Sequence, residues 1–333
     1  MTPLAVSLGE PAGIGPDVIL MAYAQRQALK LAPFCVFGDS GLLRARAARL
    51  GLDIAIGETD PAGAAALFAD ALPVIQLGTA ADRPGEPQPD TARLTIGAIE
   101  RAVAAIEAGE AGALVTAPIS KAVLYDAGFT HPGHTEFLAA LCAENGIAPR
   151  PVMMLADDTL RVVPATIHIP IAEVPAALDF GMLVETFDIV ARDLTRRFGI
   201  ANPHIAVTGL NPHAGEAGAM GREEIEIISP AIAARAGAPY RLTGPLPADT
   251  LFTPERWRQY DAVIAMYHDQ ALIPIKTLAF DRAVNVTLGL PIVRTSPDHG
   301  TAFDLAGTGR ASPASFIAAL RMADRMRSDT VQK

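Results

Sequence analysis

Seven histidines are spread along the 333 residues, and three of them stand where an α/β protein keeps its chemistry. His168 lies in Thr166-Ile-His-Ile-Pro170, His213 in Asn211-Pro-His-Ala-Gly-Glu216 and His268 in Tyr267-His-Asp-Gln270. Each run follows a segment that reads as a strand, and ligands of α/β sheets gather at the carboxyl ends of strands. Three neutral imidazoles converging there make an open catalytic zinc-type site. Taken singly, each histidine is more often a structural residue; the equivalence of the three positions is what points to a metal. His204 precedes its strand and is set aside.

A scatter of polar and cationic residues accompanies them: Lys121, His134, Thr135, Lys276, Asn285 and Arg294. Arg294 is conspicuous because the stretch from Asn285 to Val293 carries no other charge. An arginine can grip a phosphate or carboxylate with two parallel hydrogen bonds. Any one of these cations also reads as an ordinary solvated side chain.

Two glycine-punctuated segments complete the inventory. Gly9-Glu-Pro-Ala-Gly-Ile-Gly-Pro-Asp17 follows one strand and opens a helix with proline in its first turn. Its glycines either let the backbone approach an anion at the helix N-terminus or simply make a tight strand-to-helix turn. Asp298-His-Gly-Thr-Ala-Phe-Asp-Leu-Ala-Gly-Thr-Gly309 precedes the last helix and suits either a connecting loop or one that wraps a nucleotide. The GxGxxG fingerprint does not occur, so a dinucleotide would not bind in the ordinary Rossmann manner.

The elements that must position these residues alternate between short apolar runs and longer helical stretches. Strands are expected at Leu4–Leu8, Phe34–Phe37, Ala113–Thr116, Val152–Leu155, Val162–Ala165, Ile205–Thr208 and Ala262–Met266. Helices are expected from about Pro16, over Thr91–Ala108 with apolar residues near helical spacing, and over Met182–Arg197, Glu223–Arg235 and Ser312–Arg327. This alternation predicts an α/β fold with a mainly parallel sheet. The Ala/Pro/Gly-rich stretch Gly57–Pro89 reads as a variable surface segment.

Composition sets the outer bounds. Half of the residues are hydrophobic, 19% are charged and 5% aromatic, which suits a tightly packed α/β protein of two domains. A net charge of −9 and the absence of a Lys/Arg run argue against a nucleic-acid partner. The first ten residues show no signal-peptide pattern and no apolar run reaches the ~20 residues of a membrane span, so a cytoplasmic protein without a membrane partner is expected. Cys35 and Cys142 form no CxxC pair and read as reduced core residues.

Gly13-Ile-Gly-Pro16 and His299-Gly-Thr-Ala302 with Asp304-Leu-Ala-Gly307 resemble segments of the isocitrate/isopropylmalate dehydrogenase superfamily, which binds NAD without a Rossmann fingerprint. Nearly the whole chain resembles the 4-hydroxythreonine-4-phosphate dehydrogenase family of pyridoxal phosphate biosynthesis. The carrying motifs are Gly9–Asp17, Pro132-Gly-His-Thr-Glu-Phe137, Leu210–Glu216, Gly244-Pro-Leu-Pro-Ala-Asp-Thr-Leu-Phe252, Ala265–Gln270 and Arg294-Thr-Ser-Pro-Asp-His-Gly-Thr-Ala302. The chain departs from the family at Gly57–Pro89 and at Thr130-His-Pro132.

The resemblance implies an isocitrate/isopropylmalate dehydrogenase-like α/β fold with two domains flanking an active-site cleft. One domain is expected over 1–132 with 278–333, carrying the NAD loop, and the other over 133–277, carrying the metal site and a dimer interface. It implies that His168, His213 and His268 bind a divalent metal, zinc first, with magnesium or cobalt as substitutes. It further implies that His134, Thr135, Lys276, Asn285 and Arg294 contact a phosphorylated substrate. Gly13, Gly15, His299, Gly300, Thr301 and Asp304 are the expected contacts of NAD, with NADP as an alternative. Asp249, Asp269 and Lys276 are the candidate catalytic groups, the aspartates for acid/base work or for orienting a ligand. The implied reaction is oxidation of 4-phosphooxy-L-threonine at C3 and loss of carbon dioxide to give 3-amino-2-oxopropyl phosphate. The protein is expected to be a homodimer whose metal site is shared, with His268 as the residue crossing to the partner.

Two other readings are carried alongside. A sister family acts on 4-phospho-D-threonate or D-erythronate with the same metal and phosphate motifs. A phosphate acyltransferase of the same fold is the alternative from a different reaction class.

Overall fold

The computed structural model describes residues 2–131 and 133–331; Met1, Pro132, Gln332 and Lys333 lie outside the described residues. The expected motif Pro132–Phe137 is therefore described from Gly133 onward. The strands, in chain order, are β1 (Leu4–Ser7), β2 (Phe34–Gly38), β3 (Ile56–Glu58), β4 (Leu72–Gln76), β5 (Leu114–Thr116) and β6 (Val152–Ala156). They continue with β7 (Arg161–Pro164), β8 (His204–Thr208), β9 (Arg241–Leu246), β10 (Ala262–Ala265), β11 (Val284–Leu288) and β12 (Arg294–Pro297). The chain divides into two compact units, Met1–Pro151 with Leu290–Ser328 and, principally, Val152–Gly289.

In the first unit the strand order is β3-β4-β2-β1-β5-β12, and every pairing is parallel. Strands buried on both faces must be apolar throughout, and Leu4–Ser7 and Phe34–Gly38 are wholly buried. The helix Ala92–Glu107 lies over β1 and β2, with Leu94, Ala98, Ile99, Ala102 and Val103 buried at helical spacing.

In the second unit the order is β11-β6-β7-β10-β8-β9. β11 and β6 pair antiparallel, as do β6 and β7; β7, β10, β8 and β9 run parallel. Its core gathers Leu155, Val162, Ala206 and Val263 from the sheet with Ala271, Leu272 and Ile275 from the helix His268–Ala279. The helix Phe180–Phe198 is capped by Asp179, whose carboxylate accepts the Met182 N–H at 2.9 Å, and it stops at Gly199 in the left-handed conformation. It buries Leu183, Phe187, Val190 and Leu194, each contributing about 1.5–3 kcal/mol.

Two expectations need correction. Gly57–Pro89 is not only surface: it supplies β4, most of β3 and the helix Pro61–Leu67. Phe68 packs edge-to-face on Tyr23 and Phe34, and its carbonyl accepts the Tyr23 hydroxyl. The elements were hidden because they are short and alanine-rich. The two compact units divide at 151/152 and 289/290, beside the domain bounds of 132/133 and 277/278 expected from the resemblance. The reason is that the helix His134–Leu141 packs its Phe137 and Leu138 into the core of the first unit, while β11 pairs with β6 of the second. The single helix expected over Glu223–Arg235 is a π-helical turn, Glu224–Ile228, followed by the helix Ser229–Ala233. Pro230 has no N–H to continue the α-helical ladder, and widening at that point is the consequence.

Candidate active site

β7, β10 and β8 are consecutive parallel neighbours, and each of their carboxyl ends leads to one of the three histidines. His168 follows β7, His268 opens the helix after β10, and His213 sits in the turn after β8. The rings of His168 and His268 of one chain lie 5.7 Å apart. Nδ1 of His268 is 2.7 Å from Oδ1 of Asp269, which leaves Nε2 of His268 as the nitrogen available to a metal. The two rings are thus neighbours within one chain. Among the described residues no group of three or more His, Cys, Asp and Glu side chains is gathered at metal-binding distance, so His213 does not join the pair within one chain.

The turn that carries His213 is unusual. His213, Ala214, Gly215, Glu216 and Ala217 all have positive φ, between 41° and 78°. Left-handed backbone costs an L-residue with a Cβ roughly 1–2 kcal/mol. A run of it containing four such residues must be held from outside. The hold comes from Glu224, which is 3% exposed. Its carboxylate accepts the Asn211 backbone N–H at 2.8 Å and the Asn211 side-chain amide at 3.0 Å. Gln270 performs a similar service between strand ends. Its amide donates to the Gly209 carbonyl at 2.8 Å, and its carbonyl accepts the Met266 N–H and the Thr208 hydroxyl. Sequence reasoning passed over Glu224 and Gln270, although the motif Tyr267–Gln270 contained one of them.

Lys276 lies two helical turns beyond His268 and lines the same surface hollow with His268, Asp269 and Leu272. Asn285 is part-buried in β11, opposite Leu155. Asp249 is exposed on the short helix Ala248–Leu251, which lies against the His213 turn.

The remaining substrate candidates belong to the first unit. Arg294 begins β12, is 3% exposed, and donates from Nη2 to the Thr116 hydroxyl at the end of β5 at 2.7 Å. Burial pulls its pKa down to about 10, so it stays charged at neutral pH. His134 is the first residue of the helix His134–Leu141, with Thr135 next. Its Nε2 is enclosed without a hydrogen-bond partner among the described residues. Burial, and then the positive charges of Arg294 and Lys121, push its pKa well below the usual histidine value. The result is a neutral imidazole flanked by two permanent cations, an arrangement suited to an anion. A Cβ on Gly133 would stand 3.3 Å from Nζ of Lys121, so the ammonium lies over the start of the helix.

The two glycine segments meet. Ile14 N–H donates to the Thr301 carbonyl at 2.9 Å, and a Cβ on Gly13 would sit 3.0 Å from that oxygen. A Cβ on Gly15 would come within 2.6 Å of the Leu8 carbonyl. Both glycines thus serve the protein's own packing, and Gly13 with Ile14 seats the loop that carries His299, Gly300, Thr301 and Asp304. His299 has an enclosed Nε2 with no partner among the described residues, and Asp304 is exposed.

Arg46, missed by the sequence reading, ties this region together. Fully buried, it donates to the carbonyls of Pro11 and Gly13, to Asp17, and to Asp82 at 2.7 Å. Asp17 in turn accepts the Gly307 N–H at 2.7 Å. Nearby Glu10 is fully buried, and burial raises its pKa against the opposing pull of the Ala12 N–H and Thr91.

The donor chemistry fits the groups the sequence implied. Imidazoles at strand ends suit a first-row divalent cation, and a cation-lined enclosure suits a phosphate. The family model described as pyridoxal phosphate biosynthetic protein PdxA matches residues 30–323. A 4-hydroxythreonine-4-phosphate dehydrogenase of Xanthobacter autotrophicus is 55% identical over 326 residues, covering 97% of this chain and 93% of that protein. One from Bradyrhizobium diazoefficiens is 53% identical, covering 97% and 96%. The crystal structure of the enzyme of that name from Klebsiella pneumoniae superposes with a TM-score of 0.86 at 37% identity, covering 98% of this chain and all of that one. No described helix is long and apolar enough to cross a membrane. The chain belongs to the family of pyridoxal phosphate biosynthetic proteins PdxA.

Proposed function

We propose that this enzyme oxidises and decarboxylates 4-phosphooxy-L-threonine to 3-amino-2-oxopropyl phosphate, using NAD and a divalent metal, zinc first among the candidates. The observation that carries the reading is the arrival of His168, His268 and His213 at the carboxyl ends of three adjacent parallel strands. When bound, the cation lowers the pKa of the hydroxyl to be oxidised and NAD accepts the hydride.

The chain's own residues do the rest. His168, His213 and His268 would hold the cation, with Asp269 fixing the His268 ring through Nδ1. Arg294, His134 and Thr135, with Lys276 and Asn285, bind the phosphorylated substrate, and the neutral state of His134 lets one ring nitrogen donate while the other accepts. The loop of His299, Gly300, Thr301 and Asp304, seated on Gly13 and Ile14, binds the dinucleotide, with Gly13 and Gly15 as its further contacts. Asp249 and Lys276 are the groups proposed to move protons. The substrate loses a hydride from C3 and a proton from its hydroxyl, then carbon dioxide, and finally takes up one proton on carbon.

We also propose that the enzyme works as a cytoplasmic homodimer with a shared metal site. The adjacency of His168 and His268 favours a division in which this pair comes from one chain and His213 from the other. The buried free thiols Cys35 and Cys142, raised by burial to about 12 and about 11, fit a reducing compartment. The reaction is tested by incubating the protein with NAD and 4-phosphooxy-L-threonine: NADH and carbon dioxide should appear in equal amounts. Equal turnover of unphosphorylated 4-hydroxythreonine would contradict the substrate assignment.

A further inference from the structure

We infer that Glu224 is a positioning residue of the metal site: its buried carboxylate holds the left-handed turn that presents His213. The inference rests on the reading of His213 as a metal ligand and adds a residue that the ligand set does not contain.

Four of the five residues from His213 to Ala217 carry a Cβ in a left-handed backbone, so the turn does not persist on local preference. Two hydrogen bonds at its entrance converge on one side chain. Oε1 of Glu224 accepts the backbone N–H of Asn211, and Oε2 accepts that residue's amide. Glu223 accepts the same amide at 2.7 Å, so Asn211 is gripped from two adjacent carboxylates. The carboxylate is also lodged between two glycines of the loop. A Cβ on Gly209 would lie 2.9 Å from Oε1, and one on Gly215 would lie 2.5 Å from Oε2. A side chain at either glycine would expel Glu224, so the loop's sequence is built around the carboxylate. Its position is set in turn by the π-helical turn Glu224–Ile228, which packs against the helix Phe180–Phe198. His213 itself is exposed, and its placement depends on this clamp rather than on burial of its ring.

The carboxylate therefore acts on metal affinity through backbone geometry. Groups that orient a ligand in this way change metal affinity about 10–100-fold when removed. The test strips the full-length protein of metal and titrates Zn2+ against a chromophoric chelator, with circular dichroism and urea unfolding of the metal-free protein as folding controls. Glu224→Ala should weaken Zn2+ binding about 10–100-fold. Glu224→Gln, which keeps an acceptor for the Asn211 N–H, should lose less. Asn211→Ala, which leaves the backbone contact in place, should fall between wild type and Glu224→Ala, and serves if the latter fails to fold. His213→Ala is the reference for complete loss of the ligand. Wild-type affinity in folded Glu224→Ala or in Asn211→Ala, with His213→Ala impaired, overturns the clamp alone. Wild-type affinity in His213→Ala removes the ligand reading, and the clamp's function with it.

Discussion

Oδ1 of Asp269 stands 2.7 Å from Nδ1 of His268, and the ring of His268 stands 5.7 Å from that of His168. The carboxylate fixes which nitrogen of His268 is free and keeps the ring turned towards its neighbour. Asp269→Asn should retain the fold, since the side chain is mostly exposed, but should weaken divalent-metal binding about 10–100-fold. Isothermal titration of the metal-free variant measures this; unchanged affinity would remove Asp269 from the site.

Asp82 joins the stretch thought variable to Arg46, which joins it to Pro11 and Gly13 directly and to Gly307 through Asp17. Asp82→Asn removes a charge-assisted contact with a buried guanidinium, worth about 1.5–3 kcal/mol. It should also loosen the His299–Gly309 loop through Asp17 and Gly307. The expected outcome is a lower urea midpoint and a raised KM for NAD with the KM for the phosphorylated substrate unchanged. Steady-state kinetics in both substrates distinguishes this from a general loss.

His134 gives a signed pH dependence. Burial and neighbouring cations hold its folded pKa below the unfolded value, so the unfolded chain binds the extra proton first as pH falls. Stability from this group is full above about pH 6.5 and declines below it, by at most about 1.4 kcal/mol per pH unit, until the folded ring also titrates. His134→Gln should flatten the stability curve between about pH 6.5 and about pH 5 relative to wild type. Urea unfolding across that range is the measurement, and parallel curves would contradict the assignment.

Much of the framework was legible because it rests on local pattern. Short apolar runs gave β1, β2, β5, β6, β7, β8 and β10 within one or two residues, and the placement of His168, His213 and His268 beyond strands followed from them. What escaped depends on distant partners. β9 carries Gly244-Pro245, and β11 and β12 lie in the stretch whose lone Arg294 drew attention to chemistry rather than to strand pattern. The left-handed turn at His213 is stabilised by Glu224, and the anchoring of Asp82 depends on Arg46, far earlier in the chain. A salt bridge between remote positions leaves no spacing to read.

Subunit exchange tests how the three proposed histidine ligands divide in the proposed dimer. If His168 and His268 act as a pair from one chain, hybrids of His168→Ala with His268→Ala have no intact site and stay at the activity of their parents. Hybrids of His168→Ala with His213→Ala should regain activity, because one site per dimer again has an intact pair and a partner His213. With exchange verified by mass spectrometry, recovery in the first mixture and none in the second would contradict this division.

Turnover is expected to be a metal-dependent, NAD-linked oxidation of a phosphorylated hydroxy-amino acid. The direct measurement is NADH formation from 4-phosphooxy-L-threonine beside 4-phospho-D-threonate, with native, chelator-stripped and Zn2+-reloaded protein. Native enzyme should turn over the L-threonine derivative, lose that activity on stripping, and recover it with Zn2+, Co2+ or Mg2+. Undiminished NADH formation by protein shown to be metal-free, or a preference for the D-threonate derivative, would contradict it.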